Sequence, residues 1–316
     1  MDKLNEGLVV LSLFDGMSCG RLALNKANIK VKTYIASEIK KNAIKLTQHH
    51  FPDTIQIGDV TKVSYKNGIL YYENGQIETK IDMVIGGSPC QDFSAAKWSN
   101  FNYVEDGKYG LQGDKSSLFY QYLRILKEVN PKYYLLENVK MKKESKIELD
   151  NFMGVEGIPI NSNLVSYQNR PRIYWTNIPD VTAPEDRNVN FQDYKETDPS
   201  ICKQYKLNVN KTSLGMWNNG EGRKAKFKGD NTSKYCENVT HSNKIACVTT
   251  KQYRSPNAGV VQCEDFARLL TRKELELAQT LPEGYTDILS YNQMQDVVGD
   301  GWTVDVIAHI FSFIKK

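Results

Sequence analysis

The feature that most constrains the fold is an alternation of short apolar segments with helical patterns in the first half of the chain. LVVLSLF (8–14), IDMVI (81–85) and YYLL (133–136) each end in a polar turn. Apolar runs of this length, separated by helical periodicity, are typical of βαβ units whose parallel strands are buried on both faces. The sequence therefore predicts an α/β fold with a mostly parallel sheet.

The pattern changes at about Pro179, where Asn, Lys, Gly and Ser become frequent and apolar runs shorten. Regular helices return near Thr271, where T-R-K-E predicts a capping box. We therefore expect three segments: a large α/β domain over 1–178, a small irregular or β-rich lobe over 179–263, and helices over 264–316 that return to the first domain.

Composition excludes several classes of protein. No apolar stretch reaches the roughly 18 residues of a membrane-spanning helix, and the start MDKLNEG lacks the layout of a signal peptide, so we expect a cytoplasmic protein without a membrane partner. The six cysteines form no C-x-x-C pair, which argues against zinc or any other metal. Basic charge is concentrated between Lys203 and Arg254, with 11 Lys/Arg against 3 Asp/Glu.

The turn FDGMSCG (14–20) follows the first predicted strand, where open α/β sheets bind cofactors. It is neither G-x-G-x-x-G nor a P-loop. Glu38 follows the next strand, 23 positions after Asp15. In nucleoside-binding α/β folds an acidic residue at this place binds the ribose hydroxyls. Asp59 follows a third predicted strand. A structural turn and a helix-capping Glu38 are the alternatives. Together the three features predict a nucleoside site without pyrophosphate.

Three further polar groups follow predicted strands. Cys90 lies in GGSPCQ, where Gly and Pro surroundings favour an exposed and reactive thiol over a buried filler. Glu137 ends YYLL, with a solvent-exposed carboxylate as the alternative. Arg170 and Arg172 are spaced by two, so an extended chain directs both to one side, although a solvated surface pair fits equally.

In order and spacing, these segments resemble the motif series of the DNA cytosine-5 methyltransferases. The resemblance covers about residues 8–178 and 264–311, and its details are closest to the animal de novo branch of that family. The segments that carry it are SLFDGMSCG, IASE, GDV, GGSPCQDFS, GLQGDKSSLF, LLENV, QNRPRIYW, RLLTRKELELAQTLPEGY and VGDGWTVDVI.

The resemblance implies a Rossmann-like fold dependent on S-adenosylmethionine, with a catalytic and cofactor-binding domain over 1–178 and a target-recognition lobe over 179–263. It implies methyl transfer to carbon 5 of a flipped-out cytosine in duplex DNA through a covalent bond from Cys90 to C6. Glu137 would act at cytosine N3 and Arg172 on the O2 side, with Arg170 supporting the same site.

The resemblance also implies two sets of binding residues. Those expected at the cofactor are Phe14, Asp15, Gly16, Ser18, Glu38, Ile39, Asp59, Val60, Pro89, Leu118 and Trp302. Those expected at the DNA are Gln91, Ser94 and Gln168, together with the basic cluster Arg223, Lys224, Lys226 and Lys228, although a solvated lysine-rich loop is the alternative for that cluster.

Two other functions fit parts of this pattern. One is an RNA cytosine-5 methyltransferase with the same fold, and the other is a catalytically silent DNA-binding regulator. Cys90, Glu137 and the two arginines are all present, which favours an enzyme over a silent regulator. A companion restriction enzyme is a further expected partner, while the recognition sequence cannot be read from the chain.

Overall fold

The computed structural model describes residues 6–88, 117–207, 217–218, 221–222, 224–226, 232–234, 237–253 and 257–314. All structural statements below concern these residues. Pro89, Cys90, Gln91 and Ser94 lie outside them, as do Arg223 and Lys228.

The strands follow one another along the chain in sixteen short segments within the described residues. They are β1 (Leu8–Leu13), β2 (Val31–Ser37), β3 (Ile55–Gln56), β4 (Ser64–Lys66), β5 (Ile69–Tyr72), β6 (Gly75–Glu78), β7 (Met83–Gly86), β8 (Tyr133–Val139), β9 (Ile158–Asn161), β10 (Pro171–Thr176), β11 (Trp217–Asn218), β12 (Glu221–Gly222), β13 (Lys224–Lys226), β14 (Thr232–Lys234), β15 (Val261–Gln262) and β16 (Ala267–Arg268).

Seven of these strands form the central sheet, in the order β3-β2-β1-β7-β8-β10-β9. The pairs β2–β3, β1–β2, β1–β7 and β7–β8 are parallel, and β10 runs antiparallel to β8. The prediction of an α/β fold with a mostly parallel sheet is confirmed. β1 and β7 are buried along their whole length, as expected of strands covered on both faces.

Helices connect and cover these strands. They are α1 (Cys19–Lys26), α2 (Lys41–His50), α3 (Ser117–Val129), α4 (Lys143–Met153), α5 (Pro199–Gln204), α6 (Arg272–Ala278), α7 (Tyr291–Asp300) and α8 (Val304–Ser312). In α3, Phe119, Tyr122 and Ile125 recur at three-residue spacing and are fully buried against the sheet. This apolar stripe holds α3 on the core, because a helix is stabilised mainly by packing its apolar face.

The described chain divides into two compact units. The first comprises the residues up to Ile160, Pro171–Ala183 and those from Val306, and the second comprises Asn161–Arg170 and Pro184–Asp305. The first contains the central sheet and the meander β4-β5-β6, in which consecutive strands pair antiparallel. This division describes compactness, so the predicted domain limits and the recognition role of 179–263 stay predictions.

The second unit contains a buried ion pair between Arg268 and Glu274. Arg268 donates from Nη1 to Glu274 Oε2 and from Nη2 to Glu274 Oε1, each at 2.8 Å, and both side chains are inaccessible to solvent. Glu274 also accepts the backbone N–H groups of Glu196 and Thr271. A buried charge pair of this kind is tolerated only when its remaining hydrogen-bonding capacity is used, as it is here for the carboxylate.

The lengths of the helices and the arrangement of the potential metal ligands bear on membrane spanning and metal binding. Within the described residues, every helix is too short or too polar to cross a membrane. The same residues contain no group of three or more His, Cys, Asp and Glu side chains arranged to hold a metal ion.

Candidate active site

The order of the central sheet reverses between β1 and β7. From β1 the chain proceeds outward through β2 and β3, and from β7 it proceeds in the other direction through β8. Leu13 and Gly86, the last residues of the two strands, are paired in the parallel ladder. The carboxyl ends of two such strands form the crevice where open α/β sheets bind their ligands. The structure therefore brings the FDGMSCG turn beside the loop that leads towards Cys90.

The turn after β1 has an unusual backbone. Phe14, Gly16 and Ser18 have φ angles of 57°, 61° and 59°, in the left-handed region. Glycine enters this region freely, whereas Phe and Ser do so at a cost, so the surrounding contacts must hold the turn. A Cβ placed on Gly16 would meet no atom within 4 Å, which leaves open space on that side of the turn.

Glu38 lies across from this turn, one residue after β2. Its Oε2 accepts the N–H of Gly16 at 2.8 Å, and its Oε1 accepts the N–H groups of Ile39 and Lys40 at 2.7 and 2.8 Å. Three N–H donors thereby fix the carboxylate. Since each carboxylate oxygen has two acceptor sites, the Oε2 atom of Glu38 can also accept a hydroxyl group from a ligand.

Three more of the predicted cofactor residues lie near the ends of β2 and β3. Ile39 follows Glu38 and is 70% exposed, which makes it an apolar side chain open to a ligand beside the carboxylate. Asp59 caps a single 3-10 turn by accepting the N–H of Thr61 at 2.9 Å, and Val60 is buried in that turn. Ser37 donates to the carbonyl of Gly58 at 2.7 Å and so joins the two strand ends.

The orientation of Asp15 differs from that of Glu38. Its Oδ1 accepts the hydroxyl of Tyr34 at 2.8 Å and its Oδ2 accepts that of Ser18 at 2.5 Å, so both oxygens have partners within the protein. Burial raises the pKa of Asp15 to about 6, although hydrogen bonds from Ser12, Ser18 and Tyr34 act to lower it. Asp15 thus differs from a solvent-facing ligand contact.

The pair of Glu137 and Arg172 lies on β8 and β10. In the antiparallel ladder Glu137 is opposite Tyr174 and Arg172 is opposite Val139, so Glu137 and Arg172 are diagonal neighbours on one face. Arg172 Nε donates to Glu137 Oε1 at 2.8 Å, and both side chains are largely buried. Strand β8 extends beyond the predicted YYLL segment to Val139, because β10 supplies ladder partners for Glu137 and Asn138.

Asn138 connects this pair to the loop after β7. Its Nδ2 donates to Ser88 Oγ at 3.2 Å, and both residues are buried. Ser88 precedes Cys90 by two positions in the sequence. The first residues of the cysteine loop are therefore attached to the strand that carries Glu137. Leu118, a predicted cofactor contact, is the second residue of α3 and is partly buried against the core of the first unit.

Gln168 and Arg170 belong to the second unit. Gln168 was predicted to contact DNA but is fully buried, and its amide bonds to Ala278 and Gln279 and to the N–H of Val248. Its hydrogen-bonding groups are occupied inside the protein, and its contact with DNA stays a prediction. Trp302 also lies in this unit, partly buried between α7 and α8.

Arg170 is buried and directs its guanidinium at the backbone. Its Nη1 donates to the Val248 carbonyl at 2.9 Å and to Cys247 Sγ at 3.2 Å, and its Nη2 donates to the carbonyls of Gly299 and Gly301 at 3.0 and 2.8 Å. Four of the five N–H donors of an arginine are thereby used. Arg170 immediately precedes β10, and the prediction that it faces the same side as Arg172 stays a prediction.

Sequence reasoning missed Tyr34, Ser88 and Asn138. Tyr34 is an aromatic residue in an apolar strand, which is a typical core residue, and only its partner Asp15 distinguishes it. Ser88 and Asn138 adjoin the predicted Cys90 and Glu137, so their positions offered a signal. Of the basic cluster, Lys224 and Lys226 lie on β13, and no side chain of the cluster is described.

Comparison with known proteins supports a common family for the first half of the chain. Residues 8–153 match the family described as C-5 cytosine-specific DNA methylase. The orphan methyltransferase M.Rho11sI of Bacillus phage rho11s is 33% identical over 135 residues, which are 42% of this chain and 23% of that protein. The type II methyltransferase M1.ScrFI of Lactococcus lactis is 36% identical over 131 residues, or 42% of this chain and 28% of that protein.

Solved structures share the fold over nearly the whole chain. The Entamoeba histolytica methyltransferase EhMeth has a TM-score of 0.71 at 16% identity, covering 98% of this chain and 99% of that one. The S. pombe Dnmt2 methyltransferase has a TM-score of 0.65 at 17% identity, covering 96% and 97%. The chain thus has the Rossmann-like methyltransferase fold. Together with the matches above, this supports the assignment of residues 8–153 to the C-5 cytosine-specific DNA methylase family.

Proposed function

We propose that this protein transfers a methyl group from S-adenosylmethionine to carbon 5 of a flipped-out cytosine in duplex DNA. The observation that carries the proposal is the buried Glu137–Arg172 pair on β8 and β10. Asn138 links it to the loop that leads to Cys90, beside the strand end of the predicted cofactor site. The family match over residues 8–153 and the phage and type II relatives support the same chemistry.

The turn after β1 and the ends of β2 and β3 fit a nucleoside cofactor. Glu38 presents a carboxylate held by three N–H groups, the side chain of Ile39 is exposed beside it, and the space next to Gly16 is open. In our proposal Glu38 binds the ribose hydroxyls, while Ile39 and Phe14 contact the adenine. When bound, S-adenosylmethionine supplies an electrophilic methyl group.

The protein's own groups prepare the base for methylation. Carbon 5 of cytosine is a poor nucleophile until the Cys90 thiolate adds to C6, which makes the ring resemble an enamine. The electron density that develops on the ring is stabilised when Glu137 protonates or hydrogen-bonds N3. After C5 has taken the methyl group, a base removes the C5 proton and the bond from the Cys90 sulfur to C6 breaks, which restores the aromatic ring and frees the thiolate. Arg172 then has two tasks: its Nε orients the Glu137 carboxyl, and in our proposal its guanidinium binds cytosine O2.

This geometry requires the base to leave the helix. C5 and C6 must be approached from opposite faces of the ring, and both faces are covered by neighbouring bases in a stacked duplex. In our proposal the lobe over 179–263, with its basic cluster, binds the DNA. Arg170 supports the site only through the backbone around Gly299 and Gly301, because its donors are engaged there.

The biological role of the chain is inferred from relatives that it matches over part of their length. The matched segment is 23% to 28% of the length of the two curated relatives described above, so substrates and partners of this chain are inferred. One relative is an orphan phage methyltransferase and another is a type II methyltransferase. A companion restriction enzyme would fit the second. The similarity to the animal de novo branch remains a prediction.

The first test uses the variant Cys90→Ser with tritiated S-adenosylmethionine and mixed-sequence duplex DNA. We expect methyl transfer to fall to background while equilibrium binding of S-adenosylhomocysteine is retained, because serine lacks a nucleophilic thiolate at neutral pH. Duplex DNA in which 5-fluorocytosine replaces every cytosine should trap a covalent complex with the native protein but not with Cys90→Ser, seen as a shift in a denaturing gel.

The matched control is Cys263→Ser, which replaces a partly exposed cysteine of the second unit. It should methylate and form the trapped complex at the native rate. Near-normal turnover of Cys90→Ser would contradict the assignment of the nucleophile. Label on tRNA and none on duplex DNA would replace our proposal with the RNA alternative.

A further inference from the structure

The carboxyl of Asp15 joins three elements inside the first unit. Through Oδ1 it accepts the hydroxyl of Tyr34 on β2, and through Oδ2 it accepts the hydroxyl of Ser18 at the start of α1. Ser18 Oγ is also 2.9 Å from Thr47 Oγ1 on α2. The Asp15 carboxylate, which lies within the turn after β1, therefore connects side chains of one strand and two helices. Its link to α2 runs through Ser18.

This network acts on a backbone that requires support. Phe14 and Ser18, on either side of Asp15, are both non-glycine residues with positive φ. Such conformations cost free energy and persist where the surroundings enforce them. The backbone of Asp15 contributes as well, because its N–H donates to Ser37 at 3.1 Å and its carbonyl accepts the N–H of Ser18 at 3.2 Å.

The same turn controls Glu38. The residue after Asp15 is Gly16, whose N–H donates to Glu38 Oε2 at 2.8 Å. Strand β2 carries Tyr34 and leads directly into Glu38, so the two contacts with the turn come from one strand. A change in the conformation at Asp15 would move the Gly16 N–H and release one of the three donors that orient the Glu38 carboxylate.

We infer that Asp15 and Tyr34 are positioning residues for the cofactor: their hydrogen bond fixes the turn after β1 in the shape that orients Glu38, and Asp15 does not itself contact the ligand. This inference rests on the proposed function, because it requires a nucleoside cofactor at Glu38. It assigns Tyr34 a role and replaces the direct cofactor contact predicted for Asp15.

The charges around Asp15 make the inference measurable by pH. Tyr34 and Glu38 face it from β2 and its end, and Arg21 of α1 lies 5.4 Å from the centre of the Tyr34 ring, while α2 contributes the uncharged Thr47. Burial raises the pKa of Asp15 to about 6, and the Tyr34 hydrogen bond opposes that rise. Protonation replaces charge-assisted hydrogen bonds with weaker neutral ones.

The test is equilibrium binding of S-adenosylhomocysteine to the intact protein by calorimetry between pH 5 and pH 8.5, comparing native protein with Tyr34→Phe. In the native protein, affinity should fall as the pH drops through about 6. Tyr34→Phe should bind about tenfold more weakly at pH 7, as expected for a lost hydrogen bond to a charged group. Its pH midpoint should move upward, because a bond that lowers the pKa of Asp15 is gone.

Two further variants make the result specific. Tyr65→Phe removes a tyrosine hydroxyl that donates to the Thr79 carbonyl at 3.0 Å in the β4-β5-β6 meander, and it should match native binding at every pH. Asp15→Asn should bind weakly with no loss of affinity between pH 7 and pH 5 beyond that caused by the ligand. Ligand titration is common to all variants and cancels in the comparison.

Each result has a defined meaning. Native affinity and an unchanged pH midpoint in Tyr34→Phe would overturn the inference while leaving the proposed function intact. Weak binding by Asp15→Asn alone would show that Asp15 contacts the ligand directly, which also overturns it. If the native protein failed to bind S-adenosylhomocysteine at pH 8, the proposed cofactor would be wrong, and this inference would fall with it.

Discussion

At the scale of single residues, the position of Glu137 is the most consequential feature. It lies within β8, where β10 pairs with it on one side and β7 pairs with the preceding residues on the other. Arg172 holds its carboxyl at 2.8 Å. An acid on a strand fixed by two ladders has far less freedom than one on a loop, which suits the role proposed for Glu137 at cytosine N3.

Replacement of Glu137 by Gln tests this role. Gln keeps the shape and an oxygen that can accept from Arg172, so the fold should persist, but the group can no longer protonate N3. We expect kcat for methylation of duplex DNA to fall roughly hundredfold to ten-thousandfold. S-adenosylhomocysteine binding should be unchanged.

The control for this variant is Glu156→Gln, which removes an exposed carboxylate that is paired with Lys146. It should retain native kcat. If Glu137→Gln kept more than about half of native kcat, Glu137 would be a structural partner of Arg172 and not the acid.

The same scale shows where sequence reasoning succeeds and fails. Glu137 and Arg172 are polar residues beside predicted strands, so their local setting indicates a site. Gln168 sits in an equally suggestive segment, yet its partners at Ala278 and Gln279 are more than one hundred residues away. Burial of a polar side chain by such distant partners leaves no local trace, which is why the sequence does not reveal the burial of Gln168.

At the scale of elements, the capping signals were read correctly while strand ends were not. Thr271 and Glu274 form the predicted capping box, with the Thr271 side chain accepting the Glu274 N–H and Glu274 accepting the Thr271 N–H. These contacts lie within four residues, so the sequence contains the whole signal. The end of β8 depends instead on pairing with β10, more than thirty residues later, which local patterns cannot show.

A second capping box, formed by Ser290 and Gln293 at the start of α7, allows a matched stability comparison. Thr271→Ala at α6 should lower the free energy of unfolding by about 1 to 2 kcal/mol, because it leaves a buried N–H without its acceptor. Ser290→Ala at the exposed start of α7 should cost less, since water can replace the lost acceptor. Urea denaturation of both variants measures the difference, and equal costs would contradict this account of burial.

At the scale of the whole molecule, the predicted fold class is confirmed, and the likeness to methyltransferase structures extends over 98% of the chain. The alternation of strands and helices was sufficient for this, because parallel strands need helical crossovers. The region from 208 to 236, by contrast, is short of apolar periodicity, and only its charge supports a prediction.

That charge leads to a prediction about DNA affinity. Replacing Arg223, Lys224, Lys226 and Lys228 together by Gln should weaken binding to duplex DNA, because fewer counterions are released. The slope of log affinity against log salt should decrease by about 0.9 for each phosphate that the variant no longer neutralises, as measured by fluorescence anisotropy.

The control replaces Lys66, Lys127 and Lys132, exposed lysines of the first unit, by Gln. It changes the net charge by a comparable amount. Because these lysines lie outside the cluster proposed to contact DNA, it should alter the salt slope far less. A slope unaffected by the change at 223–228 would place the DNA on another surface.

The ladder that holds Glu137 has a consequence for how such a protein can diverge. Insertions and deletions accumulate in connections, while a paired strand tolerates no shift of register without reversing its faces. Because Glu137 and Arg172 are diagonal neighbours in one antiparallel register, the length of the chain after β10 can change without altering their separation. A lineage could therefore exchange the target it reads many times over while inheriting one unchanged chemical centre.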